Sequence, residues 1–117
     1  MSGAVSYHAG IAAEAAVARL YETGGTPIAA RRWRSAAGEI DLIARNGAEV
    51  IFIEVKQSRS HAEAALHLTG RQMARFYASA AVFLGQEPAG QDTAARFDVA
   101  LVDDAGRIEI IENAFAA

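Results

Sequence analysis

The chain is predicted to be an α/β domain with one central mixed β-sheet flanked by helices. Three observations predict this. Helical periodicity over residues 8–23 and 69–84 brackets two strand-like runs at 39–45 and 50–56. Asn46-Gly47, between those runs, is a strong short hairpin signal. A second pair of short strands, at 97–101 and 107–112, follows the second helix. At 117 residues the chain suits one domain, and residues 1–117 are read as one. Apolar residues at 52% against 21% charged place it among globular rather than disordered chains.

The first helix, residues 8–23, is built from good helix formers and stops at Gly24-Gly25. Ala13, Ala16, Val17, Leu20 and Tyr21 form its apolar stripe, and Glu14 lies beside that stripe rather than on the opposite wet face. Residues 26–34, TPIAARRWR, read as a connection or an edge strand, and 57–68 as an ambiguous stretch of helical flavour. Thr69-Gly-Arg-Gln72 matches a capping box, in which Thr69 takes the N3 amide and Gln72 reaches back. Met73, Phe76, Tyr77, Ala80 and Leu84 follow at helical spacing up to Gly85. Residues 86–95 are a polar loop, and Asp103-Asp104-Ala105-Gly106 is a turn between the last two strands.

No run approaches the roughly 20 apolar residues of a membrane span. The Ala-rich N-terminus lacks a basic start, and Glu14 interrupts it, which argues against a signal peptide. With no cysteine there is no thiolate chemistry or disulfide framework, so a cytoplasmic protein without membrane contact is expected. The net charge of −3 is unevenly spread. Residues 31–75 hold eight of the eleven basic residues and five of the fourteen acids, a local excess of +3. Such a centre holds a polyanion locally, or is an ordinary solvated surface. Arg31-Arg32-Trp33-Arg34 suits phosphate contact with base stacking, or equally a surface strand whose Trp33 packs on the core.

The chemistry concentrates in Glu39-Ile40-Asp41 and Glu54-Val55-Lys56. If Asn46-Gly47 is a two-residue loop, Asp41 faces Phe52 and Glu39 faces Glu54. One face then carries Glu39, Asp41, Ile43, Val50, Phe52, Glu54 and Lys56, and the other is apolar, with Ile40, Leu42, Ala44, Ile51, Ile53 and Val55. Asp41 and Glu54 are diagonal neighbours in that register, about 7–8 Å apart between backbones. A four-residue loop sets them directly opposite. Like charges so placed repel, and a cation among them relieves it. Oxygen donors without thiolates suit Mg²⁺, Mn²⁺ or Ca²⁺, and Mg²⁺ takes one or two carboxylates with water and phosphate completing its shell. Lys56 on the same face suits orienting a water or stabilising charge on phosphate. The competing reading is a solvated strand edge with surface ion pairs.

Other chemistries lack their signatures. His8, His61 and His67 have no zinc spacing, and no nucleophile elbow, phosphate loop or dinucleotide fingerprint occurs.

Gly38-Glu39-x-Asp41, followed thirteen residues after Asp41 by Glu54-Val55-Lys56, resembles the core of the PD-(D/E)xK nucleases. That restriction-endonuclease-like superfamily includes archaeal Holliday-junction resolvases. Over nearly its whole length the chain also resembles the bacterial YraN family of predicted endonucleases. The resemblance runs from Gly10 and Glu14 through GEIDLIA and IFIEVK to Arg96-Phe97-Asp98-Val99 and Ile111-Glu112-Asn113-Ala114-Phe115. It implies a restriction-endonuclease-like fold and a Mg²⁺- or Mn²⁺-dependent endonuclease acting on DNA or RNA. It further implies Asp41 and Glu54 as metal ligands, Lys56 as the catalytic lysine and Glu14 as a helix carboxylate joining the site. Gln72 is expected near the same site and Glu39 in its surroundings. Arg31, Arg32, Arg34, Arg59 and Arg71 are the expected nucleic-acid contacts. Ile40 stands where the superfamily name has proline, and Ser58 where the family often has arginine. Cleaving both strands of a duplex suits a homodimer. The alternative function is a non-catalytic nucleic-acid-binding or protein-interaction module that keeps the fold.

Overall fold

Runs of apolar residues that alternate between two sides require a sheet covered on both faces, and this is what the chain builds. The computed structural model describes residues 3–114, with residues 3–9 described by backbone alone. The first helix, α1 (Gly3–Thr23), begins earlier than the periodicity indicates and ends at Gly24-Gly25, where Gly25 adopts φ +92°. Five strands follow: β1 (Ile28–Ser35), β2 (Gly38–Asn46), β3 (Glu49–Gln57), β4 (Ala95–Val102) and β5 (Ile108–Ile111). They lie side by side in chain order, β1-β2-β3-β4-β5. All neighbours are antiparallel except β3 and β4, which run parallel. Two helices, α2 (His61–Leu66) and α3 (Gly70–Leu84), form the crossover that a parallel pair requires. The fold is α/β with a mixed sheet between helices, of the restriction-endonuclease-like type.

The core has two layers. On one face α1 contributes Ala13, Val17, Ala18 and Tyr21 against Leu42, Ala44, Ile51, Ile53, Ala100 and Val102. The helix stripe is rotated slightly from the periodic expectation, burying Ala18 and leaving Leu20 46% exposed. On the other face Phe76, Ala80, Phe83 and Leu84 of α3 cover Ile43, Val50 and Phe52. Trp33 meets Phe83 edge-on at 5.4 Å, so it packs on the core rather than presenting a stacking platform. Residues 26–34 resolve into the edge strand β1, whose arginines also blunt an otherwise open sheet edge.

The hairpin register departs from the Asn-Gly expectation. Asn46 pairs with Glu49, Ala44 with Ile51 and Leu42 with Ile53. Gly47 (φ +62°) and Ala48 form the turn. A type I′ turn needs positive φ at both central residues, whereas a II′ turn needs it at the first only. Asn46 is not among the positive-φ residues, so the turn shifts by one residue and the register by two. Side chains keep their faces under a shift of two, but Asp41 now comes level with Glu54 and Glu39 with Lys56.

A polar clasp holds the far edge of the domain. Asp98 is fully buried on β4. Its carboxylate accepts from the Tyr21 hydroxyl at 2.7 Å, from Arg96 at 2.9 and 3.0 Å, and from the Asn113 N–H at 3.0 Å. Burial, then the Asp98 carboxylate, pushes the Tyr21 phenol well above its usual range. One buried anion therefore fastens α1, β4 and the segment after β5, which accounts for Arg96-Phe97-Asp98 and for Glu112-Asn113-Ala114. Phe115 lies outside the described residues.

Candidate active site

At the end of the β2–β3 hairpin away from its turn, the sheet opens around Asp41. The β2–β3 ladder runs from Asn46↔Glu49 to Leu42↔Ile53. Beyond that point, the Val55 N–H donates to Asp41 Oδ2 at 2.8 Å. On the other side of β2, pairing of Arg31 with Leu42 and Trp33 with Ile40 puts Arg32 level with Asp41. Arg32 has φ +48°, a left-handed conformation rare for a residue with a side chain. From it, Arg32 Nε reaches across to Glu14 Oε1 of α1 at 2.8 Å. Non-glycine strain of this kind, of order 1–3 kcal/mol, concentrates at functional sites. The same irregularity corrects the alternation expected of β2: Ile40 packs with Ile43 and Phe76 on the α3 face, not with Leu42 and Ala44.

Asp41 and Glu54 thus sit level on parted strands. Burial, reinforced by the Glu54 charge, pushes Asp41 up to about 7 against an ordinary value of 3.8. Glu54 is also raised, by burial first, with Lys56 pulling the other way. Lys56 Nζ lies 3.2 Å from Glu54 Oε1, with both side chains at or below 20% exposure, so this pair is not a solvated surface ion pair. The Glu14 charge adds to the upward push on both acids, so α1 brings a third carboxylate into their field while Arg32 holds it. Among the described residues no three His, Asp or Glu side chains converge closely enough to cage an ion. Asp41 and Glu54 are the pair that a hydrated cation with few protein ligands would use.

A cleft of about 230 Å³ opens beside this pair, lined by Glu39, Asp41, Glu54, Gln72, Arg75 and the ring of Phe76. Glu39 is tied to Arg34 at 2.9 Å across the β1–β2 ladder. Gln72 departs from the capping-box expectation. Thr69 does cap α3, accepting from the Gln72 N–H at 3.1 Å. The Gln72 side chain does not complete the box, and its Oε1 is buried with no hydrogen-bond partner. Gly38, also in the cleft wall, has φ +143°, and a Cβ there would stand 3.0 Å from Ser79 Oγ. A second cleft of about 280 Å³, near Tyr21 and Glu112, includes Arg96, which Asp98 already engages.

The arginines divide in a way the sequence conceals. Arg31 pairs with Glu22, Arg32 with Glu14, Arg34 with Glu39 and Arg59 with Glu63. Of the five expected phosphate contacts only Arg71 has no carboxylate partner among the described residues. Arg75, not among the five, has none either and reaches the cleft. His61 packs against the Arg107 carbonyl and Glu109, and His67 caps the end of α2.

The model of uncharacterised protein family UPF0102 matches residues 13–102. A UPF0102 protein of Cereibacter sphaeroides strain KD131 is 70% identical over all 117 residues, the full length of both chains. One from Ruegeria pomeroyi is 59% identical over 97% of this chain and 92% of its own. Another, from Roseobacter denitrificans, is 49% identical over 98% and 89%.

The chain belongs to family UPF0102.

UPF0102 and the YraN family are the same family, so the resemblance drawn from the motifs stands. The segment matched by the UPF0102 model contains Glu14, Asp41, Glu54, Lys56, Gln72 and Arg75, and stops at the end of β4. No helix of this UPF0102 chain, among the described residues, is long and apolar enough to cross a membrane.

Proposed function

We propose that this UPF0102 protein is a divalent-metal-dependent nuclease that hydrolyses phosphodiester bonds in DNA or RNA. The observation that carries the reading is the parting of β2 and β3 around two level, largely buried carboxylates. A protein gains nothing in stability from holding Asp41 against Glu54 in low dielectric. Asp41 and Glu54 holding a Mg²⁺ or Mn²⁺ ion would make the arrangement favourable. The surroundings fit such an ion. The donors are hard oxygens, the cleft is open to water and phosphate, and the orphaned Gln72 Oε1 is an acceptor suited to a water of the ion's shell.

Asp41 and Glu54 would hold the ion. When bound, it would polarise a phosphoryl oxygen and make bound water more acidic. The chain's own groups supply the rest. The Val55 N–H fixes the rotation of the Asp41 carboxylate. Lys56, held by Glu54, presents an ammonium that orients the attacking water and offsets negative charge developing on the phosphate. Glu14 adds a third negative charge from α1 that acts on both acids, with Arg32 fixing its direction. Cleavage of both strands of a duplex would take two copies of the chain.

The test is Mn²⁺ titration, by calorimetry or electron paramagnetic resonance, of wild type against Asp41→Asn and Glu54→Gln, alone and with a short duplex. Saturable binding lost in both variants supports the site. Identical titrations in all three proteins, with duplex as without, would sink it. They would favour the second reading, a binding module, which the commitment of Arg31, Arg32, Arg34 and Arg59 to other carboxylates does not help. Lys56→Ala should abolish cleavage while leaving Mn²⁺ binding in place.

A further inference from the structure

Resting on that nuclease reading, we infer that Arg75 of α3 grips a phosphate next to the one being cleaved, with Arg71 on the neighbouring phosphate. The substrate is thereby held along two or three phosphates of one strand. The cleft has carboxylates from β2 and β3 on one side and α3 on the other. Its acids are accompanied by cations already engaged: Arg34 with Glu39, and Lys56 with Glu54. Arg75 is the exposed cation in the lining itself, and no carboxylate lies in ion-pair range of it among the described residues.

A phosphate entering between Asp41 and α3 meets repulsion from the strands. An ion answers that on the strand side, and a guanidinium fork answers it on the helix side. Arginine matches phosphate geometry in bidentate fashion, which a point charge does not. Arg71 stands four residues earlier, one helical turn along the same exposed side of α3, and is likewise without a carboxylate partner. The rest of the expected basic surface is tied down: Arg31, Arg32, Arg34 and Arg59 already face carboxylates. Two neighbouring cations on one helix define a short track and not a duplex-wide footprint.

That count sets a number. Each neutralised phosphate adds about 0.9 to the slope of log affinity against log salt for duplex DNA, and about 0.7 for a single strand. The wild-type slope should therefore be shallow, about −2 to −3 on the duplex and about −1.4 to −2 on the single strand. The experiment measures that slope by fluorescence anisotropy with a labelled duplex and a labelled single strand. Wild type is compared with Arg75→Gln, Arg71→Gln and, as a charge-matched control on the β4–β5 turn, Arg107→Gln. Cleavage of both probes in Mn²⁺ is followed alongside. Expected are a slope reduced by about one and binding weakened roughly tenfold at low salt for Arg75→Gln. Arg71→Gln behaves similarly and Arg107→Gln like wild type. If wild type cleaves but Arg75→Gln keeps the slope of Arg107→Gln, the phosphate grip is refuted and the nuclease reading survives. If the slope falls in Arg75→Gln while no probe is cleaved, the grip stands and the nuclease reading fails. A wild type that neither binds nor cleaves overturns both.

Discussion

Replacing Asp41 by Asn removes a charge but keeps an oxygen able to accept from the Val55 N–H, so it isolates the electrostatic burden of the site. In the folded protein Asp41 is pushed up to about 7, chiefly by burial and next by Glu54, against 3.8 unfolded. The folded state therefore binds the extra proton, and unfolding free energy falls as pH rises from about 4 to about 7. Near pH 4 and below, both states hold the proton and the burden vanishes. Above pH 7 it is fully present. The gap of about three pH units, at about 1.4 kcal/mol each, corresponds to at most about 4 kcal/mol. Urea denaturation in EDTA should then show Asp41→Asn more stable than wild type at about pH 8.5, with the difference shrinking by about 2–3 kcal/mol on going down to about pH 5. Saturating Mn²⁺ should recover much of the deficit in wild type only, since a ligand at a hundred times its Kd adds about 2.7 kcal/mol. A wild-type-minus-variant difference that stays flat across this range would refute the claim that Asp41 is held against its own charge.

Three further outcomes are expected. Tyr21→Phe removes one hydrogen bond to the buried Asp98 carboxylate and should cost about 1–2 kcal/mol, whereas Asp98→Ala takes the acceptor from the Tyr21 hydroxyl and the Asn113 N–H and the nearest carboxylate from Arg96, and should cost about 3–5 kcal/mol in chemical denaturation. Gly38→Ala drives a Cβ toward Ser79 Oγ and sets a side chain at φ +143°, so it should cost more than about 1 kcal/mol. Adding Ser79→Ala, which is itself neutral or mildly stabilising because the Ser79 hydroxyl is buried without a partner, should restore only the contact share. Glu14→Gln should leave Mn²⁺ affinity within a few fold of wild type while lowering the cleavage rate, since Arg32 already engages the Glu14 carboxylate.

The elements and the candidate acids were legible because their signals are local. Apolar alternation marked β2 and β3, Thr69 marked the start of α3, and Asp41, Glu54 and Lys56 follow from strand parity, which survives a register error of two. The register itself hung on whether Asn46 or Gly47 opens the turn, and the two differ only in which residue adopts positive φ. Ile40 changes face near the point where Arg32 leaves the strand conformation, and no composition rule marks an arginine for that. Gln72 obeyed one local rule too many: its position suits a cap, and the cleft claims the side chain instead. Arg75 was hidden for a different reason. Which cations remain unpaired is decided in part by carboxylates such as Glu14 and Glu22, which the fold brings to β1 from α1.

The hydrogen bond from Val55 to Asp41 turns one backbone amide into an observer of the site. An amide that donates to a carboxylate feels each change in that carboxylate's charge, directly and at a single resonance. The nitrogen chemical shift of Val55 should titrate with Asp41, move again when an ion takes up the charge, and lose both responses in the Asp41→Asn protein. Occupancy and protonation of the centre can thus be followed in the intact chain without a substrate, a dye or an assay for turnover.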